Sequence, residues 1–294
     1  MTYNIGHGQG IKELPTDWRG EEVTKMQLED IAHVLNRVDA DFVLLQEVDL
    51  NSHRSQNINQ AEFLLRRTHY PYYACATVWD KNYIPFPFWP LEHQLGRVLA
   101  ANCIFAKYPL KKHQNVIFDK PEDNAFWYNW GYIDRGAQKV VAQVGDKKIS
   151  LINLHLEAWE KKARMKQAKI VAHWAQELEG PLIIGGDFNA IPPEACKKSN
   201  FADELDVDFA HDETLSILRE GLKNHSESLR VEQCPPAGNN TQETNTFTFP
   251  ADAPSRTLDH LFTTHGAKII AERVVKEAGT ASDHLPVLVE VEYR

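Results

Sequence analysis

Apolar residues along the chain recur with two alternating periods. At 23–38, Val23, Met26, Leu28, Ile31, Val34, Leu35 and Val38 fall at near-helical spacing, which predicts an amphipathic helix. The next apolar run, Phe42-Val43-Leu44-Leu45, is short and β-prone and ends at Gln46-Glu47. A helix is predicted over 60–67 and a strand over 98–106, with Pro109 as a stop. Two β-prone runs, 139–144 and 148–154, flank Gly145-Asp146 and read as a hairpin. A second long helix is predicted over 161–178, with Ala168, Val171, Trp174, Ala175 and Leu178 on one stripe and Gly180-Pro181 closing it. Leu182-Ile183-Ile184 reads as a buried strand entering Gly185-Gly186-Asp187-Phe188-Asn189, and strands are predicted at 257–263, 268–275 and 286–292. The stretch 192–245 is polar and shows no clear period. Residues 1–5 read as a strand lacking its first half. Met1 is therefore read as an internal residue or an artificial boundary, which leaves a removed targeting segment open.

No interior stretch has linker composition. Although 294 residues would accommodate two domains, the alternation predicts one α/β domain over 1–294. Two segments interrupt it. Residues 82–90 carry Pro85, Pro87 and Pro90 and cannot form a central strand, because proline removes ladder donors. Residues 125–132 hold Phe126, Trp127, Tyr128, Trp130 and Tyr132. Both segments read either as loops folded onto the core or as an aromatic rim on a binding cleft.

Charge and cysteine narrow the classes. The net charge of −9 argues against a broad surface for nucleic acid or anionic membrane, since phosphate contacts need Lys and Arg. Cys75, Cys103, Cys196 and Cys234 are widely spaced with no C-x-x-C pair; they are expected to be free, mostly buried thiols. No apolar run approaches the ~18 residues of a membrane span, so a soluble chain is expected. Compartment and oligomeric state stay open. The triplets Asn224-His225-Ser226 and Asn239-Asn240-Thr241 match a glycosylation pattern that arises often by chance.

Polar residues gather at the ends of the predicted strands: Asn4, Glu47, His155, Asp187 with Asn189, Asp259, and Asp283 with His284. A layered sheet delivers side chains to such an edge. Carboxylates, histidines and asparagines without a Ser or Cys nucleophile suggest a hard divalent cation acting on a phosphate.

The segments TYNIGHG, LQEVD, NLHLE, GGDFN, TLDHLF and SDHLPV, in that order from Tyr3 to Val287, resemble the endonuclease/exonuclease/phosphatase (DNase I-like) superfamily, and bacterial members of uncertain substrate in particular. The resemblance implies a four-layer α-β-β-α sandwich of two mixed or antiparallel sheets flanked by helices. It also implies a Mg²⁺-dependent phosphoric ester hydrolase, with Mn²⁺ as a substitute. By the same resemblance Glu47, Asp283 and Asn4 sit at the metal. Asp187 orients or deprotonates the attacking water, and His155 and His284 stabilise phosphate charge. Asp259 hydrogen-bonds His284, and Asn189 and Asn4 bind phosphate. Arg54, and with it Arg135, is a further candidate phosphate contact, set against a structural ion pair for each. Apurinic endonucleases carry a second acid two residues after the first-strand Asn; here that position is Gly6, which argues against abasic-site repair and for one metal.

The expected substrate is a phosphodiester or phosphomonoester of a small molecule or lipid headgroup. The alternatives are a DNA or RNA nuclease and a non-catalytic binding module on the same fold.

Overall fold

A computed structural model describes residues 1–11, 20–222, 225–229, 245–264 and 266–293. In chain order the elements are β1 (Thr2–Asn4), α1 (Glu21–Val38), β2 (Phe42–Asp49), α2 (Gln60–Leu65), β3 (Tyr72–Ile84), β4 (Gly96–Ala106), β5 (Leu110–Ile117), α3 (Phe126–Gly131), β6 (Gly136–Val144), β7 (Lys147–His155), α4 (Lys161–Gln176), β8 (Leu182–Asp187), α5 (Thr214–Gly221), β9 (Ser226–Glu227), β10 (Asp259–Thr264), β11 (Ala267–Val274) and β12 (Val287–Tyr293). They build two six-stranded sheets, ordered β11-β12-β1-β2-β4-β3 and β5-β6-β7-β8-β10-β9. Both mix parallel and antiparallel pairs: β1 runs parallel to β2, and β7 to β8, among antiparallel neighbours.

The period-2 pattern explains the layers. Leu151, Ile183 and Leu261 face the first sheet, within a core cluster that continues to α1. Their chain neighbours Ile152, Ile184 and Phe262 face the opposite way, onto Ala168, Val171 and Ala175 of α4 and Leu215 and Leu218 of α5. Alternate side chains of a strand serve opposite faces, so one strand seals two interfaces. Leu28, Ile31 and Leu35 of α1 cover the other side of the first sheet. The result is the expected four-layer sandwich.

Buried amides tie the sheets together. Asn153 on β7 donates to the Leu45 and Cys103 carbonyls at 2.9 Å each and accepts from Gln46 Nε2 at 2.6 Å. Each polar atom in this set thereby keeps a partner.

Several expectations change. β3 and β5 carried no recognised pattern. β3 is half exposed along its length, and β5 exposes most residues, so neither shows the apolar signal of a covered strand. α5 lies inside the stretch that showed no period. Residues 126–131 form a short helix with no buried residue, which corrects the reading of a loop folded onto the core. The cysteines are not free thiols. Cys75 and Cys103 stand directly opposite on β3 and β4 and form a disulfide, and Cys196 is also disulfide-bonded. Spacing in sequence hid the first pair because the long β3–β4 hairpin brings residues 28 apart into register. Cys234, Asn224 and Asn239-Asn240-Thr241 lie outside the described residues. Among those described, no helix is long and apolar enough to cross a membrane.

Candidate active site

The site forms where corresponding edges of the two sheets meet. In the second sheet, register does the assembly. His155, Asp187 and Asp259 are direct cross-strand partners on β7, β8 and β10, and Gly136, next to Arg135, pairs with His155. Gly186 permits this approach: a Cβ there would lie 1.9 Å from the Leu154 carbonyl oxygen. In the first sheet, β12, β1 and β2 are neighbours. They bring Asp283 and His284, Asn4, and Glu47 to the same edge.

Glu47 reaches the site through a local irregularity. The β2–β4 register shifts between Leu45 and Val48, and Glu47 adopts a left-handed φ of 56°. A bulge of this kind re-aims one side chain out of the ladder, and a non-glycine residue at positive φ is held there by its surroundings. The Glu47 carboxylate is 2.9 Å from His7 Nε2 and 3.9 Å from both Arg135 Nη1 and His155 Nε2. Burial opposes its ionisation, but His7, His155 and Arg135 hold it well below the usual carboxylate range.

Three nitrogens converge on one oxygen. Asp187 Oδ2 accepts from Asn4 Nδ2 at 3.0 Å and lies 3.3 Å from His155 Nε2 and 3.7 Å from His284 Nε2. Its other oxygen accepts the Asn189 backbone N–H at 2.9 Å, which fixes the carboxylate's rotation. Asp187, Asn4, His155, Asp259 and His284 are all buried. Burial, reinforced by Asp259 and opposed by His284, pushes Asp187 up to about 7. His284 donates from Nδ1 to Asp259 at 2.8 Å. Burial works against its charge, yet Asp259 and Asp187 outweigh that and raise it to about 10. His155 goes the other way: burial and the adjacent Arg135 hold it well below the ordinary imidazole value, so it is neutral.

The two arginines have different surroundings. Arg54 gives Nε and Nη2 to Asp49 at 3.0 and 2.9 Å, so its fork belongs to a buried ion pair. Arg135 Nη1 lies 2.6 Å from His155 Nε2, its Nε is buried without a partner, and it lines the same cleft as Glu47 and His155. A buried cation with an unspent donor suits an anionic ligand. Asn189 donates from Nδ2 to the Leu156 carbonyl at 3.0 Å, which leaves one amide hydrogen for a ligand.

His7 was missed in the sequence. It sits between Glu47 and Asp49, 3.5 Å from Asp49 Oδ1, so Arg54, Asp49, His7 and Glu47 form one chain running from buried Arg54 and Asp49 to half-buried Glu47. The GHG triplet around it was the available signal: Gly6, His7 and Gly8 all take positive φ. Gly6 also has a packing reason, since a Cβ there would lie 2.6 Å from Asp283 Oδ1. An acid at this position would displace the Asp283 carboxylate.

The donor set fits a hard divalent cation. Glu47 is ionised and partly exposed, Asp283 lies at the adjoining strand edge, and the Asn4 amide oxygen accepts only the Gly6 N–H among the hydrogen bonds described. Oxygen donors of this kind are what Mg²⁺ selects. Asp187, Asp259 and His284 also lie within 4.8 Å of one another and could hold a cation. There, the high proton affinity of His284 makes a proton the competitor.

The family model for the Endonuclease/Exonuclease/phosphatase family matches residues 1–284. No curated protein matches the chain. Solved structures share the fold at low identity. An endonuclease/exonuclease/phosphatase from Beutenbergia cavernae aligns at 18% identity with a TM-score of 0.65, over 99% of this chain and 70% of that one. A Bacteroides thetaiotaomicron mannosyl-6-phosphatase aligns at 18% and 0.62, over 99% and 98%. D. rerio TDP2 complexed with a single-strand DNA product aligns at 13% and 0.61, over 99% and 97%. The register-built cluster of acids, histidines and asparagines thus stands on a chain that belongs to the endonuclease/exonuclease/phosphatase family, a family of phosphoester hydrolases.

Proposed function

We propose that the protein is a metal-dependent phosphoesterase in which water attacks phosphorus in line, with no covalent enzyme intermediate. The observation that carries this reading is the focus of Asn4, His155 and His284 on Asp187 Oδ2. A carboxylate raised to about 7 and ringed by donors is suited to orient a water molecule and take its proton. The same donors then face the phosphate oxygens on which charge builds. His284, charged and steered by Asp259, stabilises that charge. Neutral His155, Arg135 and the remaining Asn189 hydrogen hold non-bridging oxygens. Glu47, Asp283 and Asn4 are the residues that would hold the cation. When bound, a divalent cation supplies charge neutralisation at phosphate and a more acidic water.

We take the chain as one catalytic domain, because the reacting residues come from both sheets. We favour a small-molecule or lipid-headgroup phosphate ester over nucleic acid. The lysine pairs Lys111-Lys112, Lys147-Lys148, Lys161-Lys162 and Lys197-Lys198 are scattered along the chain, and Lys161 and Lys162 lie against the Asp208 and Asp123 carboxylates. The disulfide-bonded Cys75, Cys103 and Cys196 support an oxidising compartment. A panel of plasmid DNA, RNA, sphingomyelin, inositol phosphates and nucleotides under one metal condition tests the substrate. Turnover confined to the nucleic acids would overturn this preference.

A further inference from the structure

Next to the phosphate-facing residues stand aromatic rings that the core does not bury. Trp159, four residues beyond β7, is 62% exposed. Its ring packs edge-on against Tyr132 at 5.8 Å, and the Arg135 guanidinium carbon lies 5.6 Å from its centre. One buried acid ties the Tyr132 ring to the Trp159 backbone. Glu157 is 1% exposed, and its Oε1 accepts the Tyr132 hydroxyl at 2.5 Å and the Trp159 backbone N–H at 3.1 Å.

Folding alone gives little reason to fix an indole in water. Most of its apolar surface gains no burial there, and ordering side chains costs conformational entropy. A rigid, exposed ring is instead a preorganised contact surface, since the ordering cost is met before a ligand arrives. Arg135 links that surface to the reaction centre. Its Nη1 touches His155, while its guanidinium lies beside Trp159. A ligand whose phosphate meets Arg135 and His155 can therefore lay its alcohol portion on Trp159.

We propose that Trp159, fixed by Glu157 and Tyr132, forms one wall of a leaving-group subsite that accepts a phosphate ester whose alcohol carries a ring, preferring nucleoside or sugar phosphates to acyclic ones. The shared chemistry is a ring face laid on the indole: π-stacking for a base, C–H contact for a sugar. This rests on the phosphoesterase reading only in taking phosphate as the anion at Arg135.

The test is a calorimetric titration with Mg²⁺ on Asp187→Asn protein, which holds esters without turnover. The probes are adenosine 5′-monophosphate, glucose 6-phosphate and glycerol 3-phosphate, against Trp159, Trp159→Ala and Trp159→Phe. A ring phosphate is expected to bind about tenfold tighter than glycerol phosphate, the scale of base–aromatic stacking. Trp159→Ala should abolish the difference and Trp159→Phe should keep most of it. Preference for the nucleotide alone assigns a base to the subsite, and preference for the hexose alone a sugar. Equal affinities, no binding of any probe, or a preference that survives Trp159→Ala would overturn the proposal. Hydrolysis by the unmutated enzyme is measured in parallel. Ring preference without turnover of any ester would contradict the phosphoesterase reading and leave the subsite standing.

Discussion

Asn4 Nδ2 donates to Asp187 Oδ2 at 3.0 Å, joining the end of β1 in one sheet to the end of β8 in the other, 183 residues apart in the chain. The contact orients a carboxylate that burial disfavours, and this gives opposite expectations for activity and stability. Folding raises Asp187 from 3.8 to about 7. Between those values the folded state keeps a proton that the unfolded state has released. The Asp187 contribution to stability therefore falls as pH rises from about 4 to about 7 and is level above that. Asp187→Asn should remove this slope and leave the melting temperature at pH 8 equal or higher, while turnover falls by ~10²–10⁴. Thermal melts at pH 5 and pH 8 beside steady-state rates check both halves.

The pairing of His284 with Asp259 sets the alkaline side of the reaction. The kcat/KM profile should rise through about 7 as Asp187 ionises and fall through about 10 as His284 loses its proton. These are apparent values of an interacting set. Asp259→Asn removes the largest source of that raised affinity, so the alkaline limb should move to lower pH. A limb that stays in place in the variant would show that the 2.8 Å contact does not control it.

His7 holds Glu47 from behind and is itself held by Asp49. Outer partners of a metal ligand orient it and raise its affinity by ~10–100-fold. His7→Ala should weaken Mg²⁺ or Mn²⁺ binding on that scale, read by calorimetric titration of the metal alone, with most turnover recovered at saturating metal. Arg54→Met should behave differently. It takes the guanidinium from the buried Asp49 carboxylate and leaves only His7 beside it, which costs up to ~3–5 kcal/mol of stability, measurable by urea unfolding.

Asn153 makes three hydrogen bonds across the sheet interface, and all three partners are buried. Asn153→Ala takes a donor from two buried carbonyls, while the Gln46 amide keeps Thr2 Oγ1 and the Leu44 carbonyl at 3.1 Å each. At ~1–3 kcal/mol for each unsatisfied group, with partial relaxation, a loss of ~2–4 kcal/mol is expected by denaturant unfolding.

Motifs that end buried strands were the legible part of the site. GDFN, SDH and LQEV each combine an apolar run with polar residues at its end, and the sheet register then places those residues together. The α/β class followed from the alternation of apolar periods, and the four-layer sandwich from the family resemblance. What was hidden depends on pairs that no local pattern reports. The His7–Asp49–Arg54 chain crosses from a 3₁₀ turn to a strand end and back to another turn. Glu157 binds Tyr132 from 25 residues away. Cys75 meets Cys103 only because β3 and β4 pair over their full length. α3 carries aromatic residues that read equally well as core, and only the packed structure shows Phe126 at 87% and Trp127 at 64% exposure.

The most direct test of the central claim is hydrolysis of bis-p-nitrophenyl phosphate by protein treated with EDTA and then supplied with Mg²⁺ or Mn²⁺, beside Asp187→Ala and His284→Ala. Turnover restored by either metal in the unmutated chain, and lost in both variants, is the predicted result. No turnover with either metal together with no metal-dependent rise in melting temperature, or near-normal turnover in either variant, would contradict it.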